Sequence, residues 1–210
     1  MPTIPHPSRR TLNEFVFQIV TIMAGILIAL WVDNVVEARR ERALVRDAHA
    51  AIAREIADNL KALNDGLPSL DEHERGLRNA MQFTEDLLKR GKTDIKNLDF
   101  NLKMPTLNRA SWQSAERTGA LGYMDFADVK TYAEIYDLQE LVAENQRQQV
   151  ARVADVMARL FAGEGGDPLK MRPPELEAFR GRLMDALGAI TVHKSLAQQL
   201  AAHYTRAPKH

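Results

Sequence analysis

From Phe15 to Val32 the chain carries no charged side chain, and from Val45 onward its apolar residues return at intervals of three and four. These two patterns predict two kinds of helix. The first stretch, FVFQIVTIMAGILIALWV, is bounded by Glu14 and Asp33, and only Gln18 and Thr21 in it are polar. As a helix it is roughly 27 Å long, enough to cross a hydrocarbon core of about 30 Å. A secretory signal would have a shorter apolar run and a small-x-small cleavage site. This run instead ends in Leu30-Trp31-Val32-Asp33. A helix apolar all round also suits the centre of a large soluble protein, but little else here is apolar enough to wrap it. The pattern predicts a tail over 1–14 and a transmembrane helix over 15–33, with Trp31 at the lipid–water boundary that indoles favour.

The helical pattern continues past the apolar run. Val45, Ala48, Ile52, Ile56, Leu60 and Leu63 make one apolar face, so the first helix is expected from about Glu14 to Asn64. Gly66-Leu67-Pro68 reads as its terminator. Ser69-Leu70-Asp71-Glu72 then has the form of a capping box, starting a second helix marked by Leu70, Leu77, Met81, Thr84 and Leu88. Gly91 ends it, and KTDIKNLDFNLKMP has no period and reads as a loop. A short helix is expected over about Leu107 to Leu121. Asp125 caps a long one with Val129, Tyr132, Ile135, Tyr136, Leu138, Val142, Val153, Val156, Met157 and Leu160 on its buried side. GEGGDP breaks it, and Pro173-Pro174-Glu175 opens the last helix, with Leu176, Phe179, Leu183, Leu187, Ile190, Ala197, Leu200 and Tyr204 in its stripe. The fold class is all-α: the transmembrane helix runs into a long helix that packs in an antiparallel helical bundle, the bundle domain spanning 34–210. The polar stretch Ala143 to Gln149 interrupts the long stripe, as a distal end of the bundle or as a seam for a partner.

Charge adds little and excludes much. Twenty-eight basic residues balance 28 acidic ones, which argues against nucleic acid as a partner. Cysteine is absent, which removes disulfides, thiolate metal sites and cysteine nucleophiles. Arg9 and Arg10 precede the apolar run, and Arg39, Arg40, Arg42 and Arg46 follow it. Counting these near the span favours a cytoplasmic bundle, but a long domain crosses largely regardless of charge. The reading adopted is N-terminus inside and bundle periplasmic, in a bacterial inner membrane. Arg39, Arg42 and Arg46 share a face that suits anionic lipid or, laced with Glu37 and Glu41, plain water. Thr21, Gly25 and Ala29 form a ridge of small residues, a candidate seam for a homodimer within the bilayer.

Candidate chemistry is sparse. None of the six histidines lies in H-E-x-x-H. The residues three before His49, His73, His193 and His203 are Arg46, Leu70, Ile190 and Leu200, so the Glu-x-x-His pairs of a di-iron bundle are missing. No serine sits in G-x-S-x-G. GEGG at Gly163 to Gly166 lacks the Lys-Ser/Thr of a phosphate loop. No catalytic residue, metal site or cofactor is expected. The most individual segment is SWQSAERTGALGYMD, where Trp112, Arg117 and Tyr123, with Tyr132 and Tyr136 beyond, form a candidate ligand or partner cluster. The competing reading is structural: Trp112 in the core, Gly119 or Gly122 as a left-handed cap, and Asp125 capping the next helix with Asp128 in its first turn.

Gly25 to Arg42, GILIALWVDNVVEARRER, resembles the N-terminal anchor of a group of bacterial single-pass membrane proteins with a helical domain of unknown function. Trp112 to Leu121, WQSAERTGAL, followed by Ala133-Glu134-Ile135-Tyr136, resembles their second half. The resemblance covers these two blocks and implies an anchor and a helical domain, with no active site. The expected role is a membrane-anchored helical interaction or sensor module, non-catalytic, with the bilayer and an unknown protein as partners. The alternative is a ligand-binding or enzymatic pocket around Trp112, Arg117 and Tyr123.

Overall fold

The computed structural model describes residues 9–100, 103–161 and 167–208. Among them it is all-helical, with no strand. The helices are α1 (Arg9–Arg90), α2 (Ala110–Arg117), α3 (Phe126–Leu160) and α4 (Pro173–Thr205), with short 3-10 turns at Ala120–Tyr123 and Pro168–Lys170. Two units are distinguished, Met1–Asp47 and Ala48–His210. In the first, α1 carries a stretch long and apolar enough to cross a membrane, with a mean hydropathy of 2.4 and none of it buried.

The second unit is a bundle of α1, α3 and α4. α4 packs against both other helices and runs antiparallel to them. Its Lys194 reaches Glu74, its His193 reaches Asn145 and its Tyr204 reaches Gln139. α1 and α3 run parallel, since His49 pairs with Tyr132, Glu55 with Tyr136 and Asn59 with Gln139. Each helix offers a seam with steps of three and four. On α4 it is Leu176, Phe179, Leu183, Ala186, Ile190, His193, Ala197, Leu200 and Tyr204, all buried. On α3 the buried seam includes Gln139 and Gln149, and the expected Leu138 is only half-buried.

The first helix does not stop where expected. Gly66-Leu67-Pro68 lies inside α1, which spans 82 residues, and Ser69 is therefore no N-cap. Proline in a helix interior loses one backbone bond and costs about 3 kcal/mol. Continuity outweighs that. Leu63, Leu70 and Leu77 are each about fully buried, and burying one leucine contributes roughly 1.5–3 kcal/mol. A break at Pro68 would take Leu70 and Leu77 out of line with Leu63. Pro68 itself is exposed.

The two glycines of this region have another use. A Cβ on Gly76 would stand 2.1 Å from the backbone oxygen of Asp99, and one on Gly66 would stand 2.9 Å from Cδ of Pro105. The segment after α1 thus runs back along the same helix, seated in two notches. Asn108 and Ser111 continue the descent at Asn59 and Glu55. Gly91, with φ +65, ends α1 as expected, its N–H bonded to Leu87 O at 3.0 Å. The short helix expected to reach Leu121 ends at Arg117, because Gly119 turns left-handed at φ +76. Asp125 caps α3 by accepting from Ala127 N, and Glu175 accepts the Arg172 N–H at 2.8 Å to start α4. The GEGG turn and the histidines His6 and His210 lie outside the described residues.

Exposed helical glycines normally gain about 0.5–1 kcal/mol on change to alanine. Gly188→Ala on α4, where nothing lies within 4 Å, is expected to follow that rule. Gly76→Ala is expected to reverse it and lose about 1–3 kcal/mol, as overpacked sites do. Urea unfolding of the two variants in mild detergent, followed by helical circular dichroism, compares the signs directly.

Candidate functional site

The Ala48 end of the bundle holds a buried aromatic and polar network. Trp112, on α2, stacks on Tyr136 with ring centroids 5.3 Å apart and planes 18° from parallel. It meets Tyr132 edge-on at 6.5 Å. The Tyr132 hydroxyl shares a hydrogen bond of 3.1 Å with His49 Nδ1, and His49 Nε2 lies 3.8 Å from Asp128 Oδ2. Nearly two turns further along α1, Glu55 accepts from the Tyr136 hydroxyl at 2.7 Å and from the Ser111 N–H at 2.8 Å. Ser111 is in the first turn of α2, so a carboxylate from α1 takes the place of a local cap at a helix end that prefers negative charge.

Asn59 and Asn108 complete the network. The Asn59 amide donates to Asn108 O at 2.7 Å and accepts the Asn108 N–H at 2.8 Å. Gln139 donates to the same carbonyl at 2.9 Å and accepts from the Tyr204 hydroxyl at 2.6 Å. Three helices and the returning segment therefore meet in one set of hydrogen bonds, and burial leaves such groups little tolerance for a missing partner.

The electrostatics keep the hydroxyls protonated. Burial, with the Asp128 charge nearby, pushes the Tyr132 pKa up to about 12. Burial and the hydrogen bond to Glu55 raise Tyr136 further, and burial raises Tyr204. These phenols keep their protons at neutral pH, and those of Tyr136 and Tyr204 donate to Glu55 and Gln139. Further along, Lys194 on α4 bridges Asp71 at 2.6 Å and Glu74 at 2.7 Å on α1. Its ammonium, with Arg78, holds the Glu74 carboxyl below its ordinary value.

The five residues singled out in the sequence separate into two groups. Trp112, Tyr132 and Tyr136 are brought together in the interior, 8%, 0% and 3% exposed. Arg117 and Tyr123 are on the surface, Tyr123 at 53% exposure. The Thr21, Gly25 and Ala29 ridge is exposed on α1. The Thr21 hydroxyl donates to Phe17 O at 2.9 Å, and no atom lies within 4 Å of a Cβ placed on Gly25. Glu55, Asn59, Gln139 and Tyr204 were not singled out as polar partners, although the spacing of buried positions runs through the last three. At the far end of the bundle a cleft of about 620 Å³ is lined by Phe83, Ile95, Leu98, Leu160, Phe161 and Leu169, with Lys96 and Asp167 among its polar residues. Among the described residues no group of three His, Asp or Glu side chains is placed to hold a metal ion.

No family model, curated protein or solved structure matches this chain.

Two substitutions separate the satisfied part of the interior from the unsatisfied part. Glu55→Ala leaves the Tyr136 hydroxyl and the Ser111 N–H without their acceptor, and is expected to cost about 2–5 kcal/mol. Gln149 is fully buried and its side-chain amide has no hydrogen-bond partner among the described residues. Gln149→Leu is expected to stabilise the bundle by about 1–3 kcal/mol, the desolvation cost of such a group. Thermal melts of both variants against the unsubstituted chain measure the two signs.

Proposed function

We propose that this chain is a single-pass membrane protein whose helical bundle is an interaction or sensor module, without catalysis of its own. The observation that carries this reading is the exposure of the apolar stretch. Phe15, Phe17, Leu27, Ile28, Leu30 and Trp31 are each more than half exposed. Leaving so much apolar surface in water is costly at about 25 cal/mol per Å², and a bilayer removes the cost. Residues 15–33 would span a bacterial inner membrane, with the tail inside and the bundle on the periplasmic side.

The bundle supports the second half of the reading. Its interior is filled by three seams and by tyrosines held as hydrogen-bond donors, so recognition falls to its outer faces. Arg117 and Tyr123 are among the groups offered there. The Thr21, Gly25 and Ala29 ridge fits a homodimer seam, since its one hydroxyl is already satisfied within the helix. Arg39, Arg42 and Arg46 are exposed and suit anionic headgroups.

The chain has no cysteine, so a single Thr205→Cys change gives a clean probe. Labelling of intact cells by a membrane-impermeant maleimide is expected, with the labelled chain in the membrane pellet. Labelling only after lysis would reverse the orientation. Labelled chain in the soluble fraction would remove the anchor.

A further inference from the structure

Three imidazoles are buried in the seams of the bundle: His49, His73 and His193, at 8%, 1% and 1% exposure. They share these seams with Leu, Ile and Ala and with other polar side chains such as Asn59, Thr84 and Gln139. His193 is the one whose surroundings are most fully defined. The next residue of α4, Lys194, reaches Asp71 and Glu74 on α1, which places His193 at the level of His73. On α3 its partner is Asn145: the His193 Nδ1–H donates to Asn145 Oδ1 at 3.1 Å. The buried amide of Gln149 lies one turn further along α3. One level of the bundle thus gathers polar side chains from all three helices.

We propose that this level is an acid-operated latch, in which uptake of a proton by His193 loosens α4 from α1 and α3. A neutral imidazole fits here, with its one polar hydrogen bonded to Asn145. A charged one must lose its hydration at a site that is 1% exposed, a cost that burial imposes on any ion. Burial accordingly pulls the ring below its ordinary pKa of 6.5.

Charged groups on the facing helices do not offset that. On α1 they are Asp71 and Glu74, both already engaged by Lys194, and the buried ring of His73, which brings no negative charge. On α3 they are Glu140, Glu144 and Arg147, which pair with one another on the exposed side. His49 is differently placed, with the Asp128 carboxylate across from its ring.

The direction of the effect follows from linkage. Below about pH 6.5 the unfolded chain takes up a proton at this histidine and the folded bundle does not. Stability is therefore complete above that pH and falls as the medium acidifies toward the folded-state value. Each pH unit in that window raises the unfolding equilibrium constant up to about tenfold for this one group. Glu74 acts in a separate window. Its carboxyl is held below its ordinary 4.5, so its contribution is lost only at still lower pH.

The test uses the full chain in lipid nanodiscs, unfolded by urea at pH 7.5, 6.5 and 5.5. The unsubstituted protein is expected to lose stability between pH 6.5 and 5.5. His193→Gln, which cannot take up a proton, is expected to reduce that loss by up to tenfold in the equilibrium constant. Equal slopes for the two proteins would overturn the latch. Should His193→Gln not fold, the ring is followed by NMR in the unsubstituted chain. The proposal expects its Cε1–H resonance to keep the neutral position below pH 6.5 while α4 stays docked, and to shift only as α4 amides lose protection. Free titration near pH 6.5 with α4 undisturbed overturns it.

Discussion

Two parallel helices joined within one chain need a path back, and that path is the constraint on which the rest of the bundle depends. From Arg90 to the level of Glu55 is about 53 Å of helix at 1.5 Å per residue. The chain between Arg90 and Ser111 can reach about 70 Å when fully extended. The return therefore uses about three quarters of its full reach, and its described residues form neither helix nor strand. An extended backbone against a helix needs room, and Gly66 and Gly76 make it by having no Cβ where Pro105 and the Asp99 carbonyl lie. It also needs partners for its own polar groups. Asn59 supplies an acceptor and a donor to Asn108 in the way a neighbouring backbone would.

Where the return ends decides what the network can be. Asn108 and Ser111 are pinned at Asn59 and Glu55, so α2 begins at the Glu55 carboxylate and delivers Trp112 onto Tyr136. α3 then starts low enough for Tyr132 to meet His49. These polar contacts add modestly to stability. Their larger effect is on register. Sliding α3 along α1 by one seven-residue step would set Gln139 against Ile52 or Gly66 in place of Asn59 and leave Tyr204 without its acceptor. A polar residue in a repeating seam fixes alignment in just this way.

The sequence made much of this legible. The stripe of α4, the Asp125 cap, the Gly91 stop and the exposed apolar stretch follow from spacing and turn chemistry alone. The error lay at Gly66-Leu67-Pro68, where a strong local stop signal competes with a longer pattern. His49, Ile56, Leu63, Leu70, Leu77 and Thr84 come every seven residues, and so do Ile52, Asn59, Gly66, His73, Ala80 and Leu87. The repeat passes through Pro68 unbroken, and packing against two other helices enforces it. Carried through, it also marks Asn59, His73 and His49 as interior. The return segment left no comparable trace. Its residues have no period because they do not repeat a contact; each meets α1 once, at a place that only the folded chain defines.

Polar residues in a packed interior pull in two directions, and this bundle contains both. Around Asn59 the donors and acceptors are matched across α1, α3, α4 and the return segment, and the tyrosine protons stay in place at any pH near neutral. Around Gln149 and His193 the match is incomplete: one amide has no partner among the described residues, and burial disfavours the charged form of one imidazole. A helix pair is hardest to separate where its polar groups are satisfied and easiest where they are not. The two levels lie at different heights along the same seams: α4 is held at its Tyr204 end by Gln139, and in its middle by Lys194 beside the buried His193. Under acid stress separation would start at His193, while the Asn59 level keeps the three helices in register for closing again.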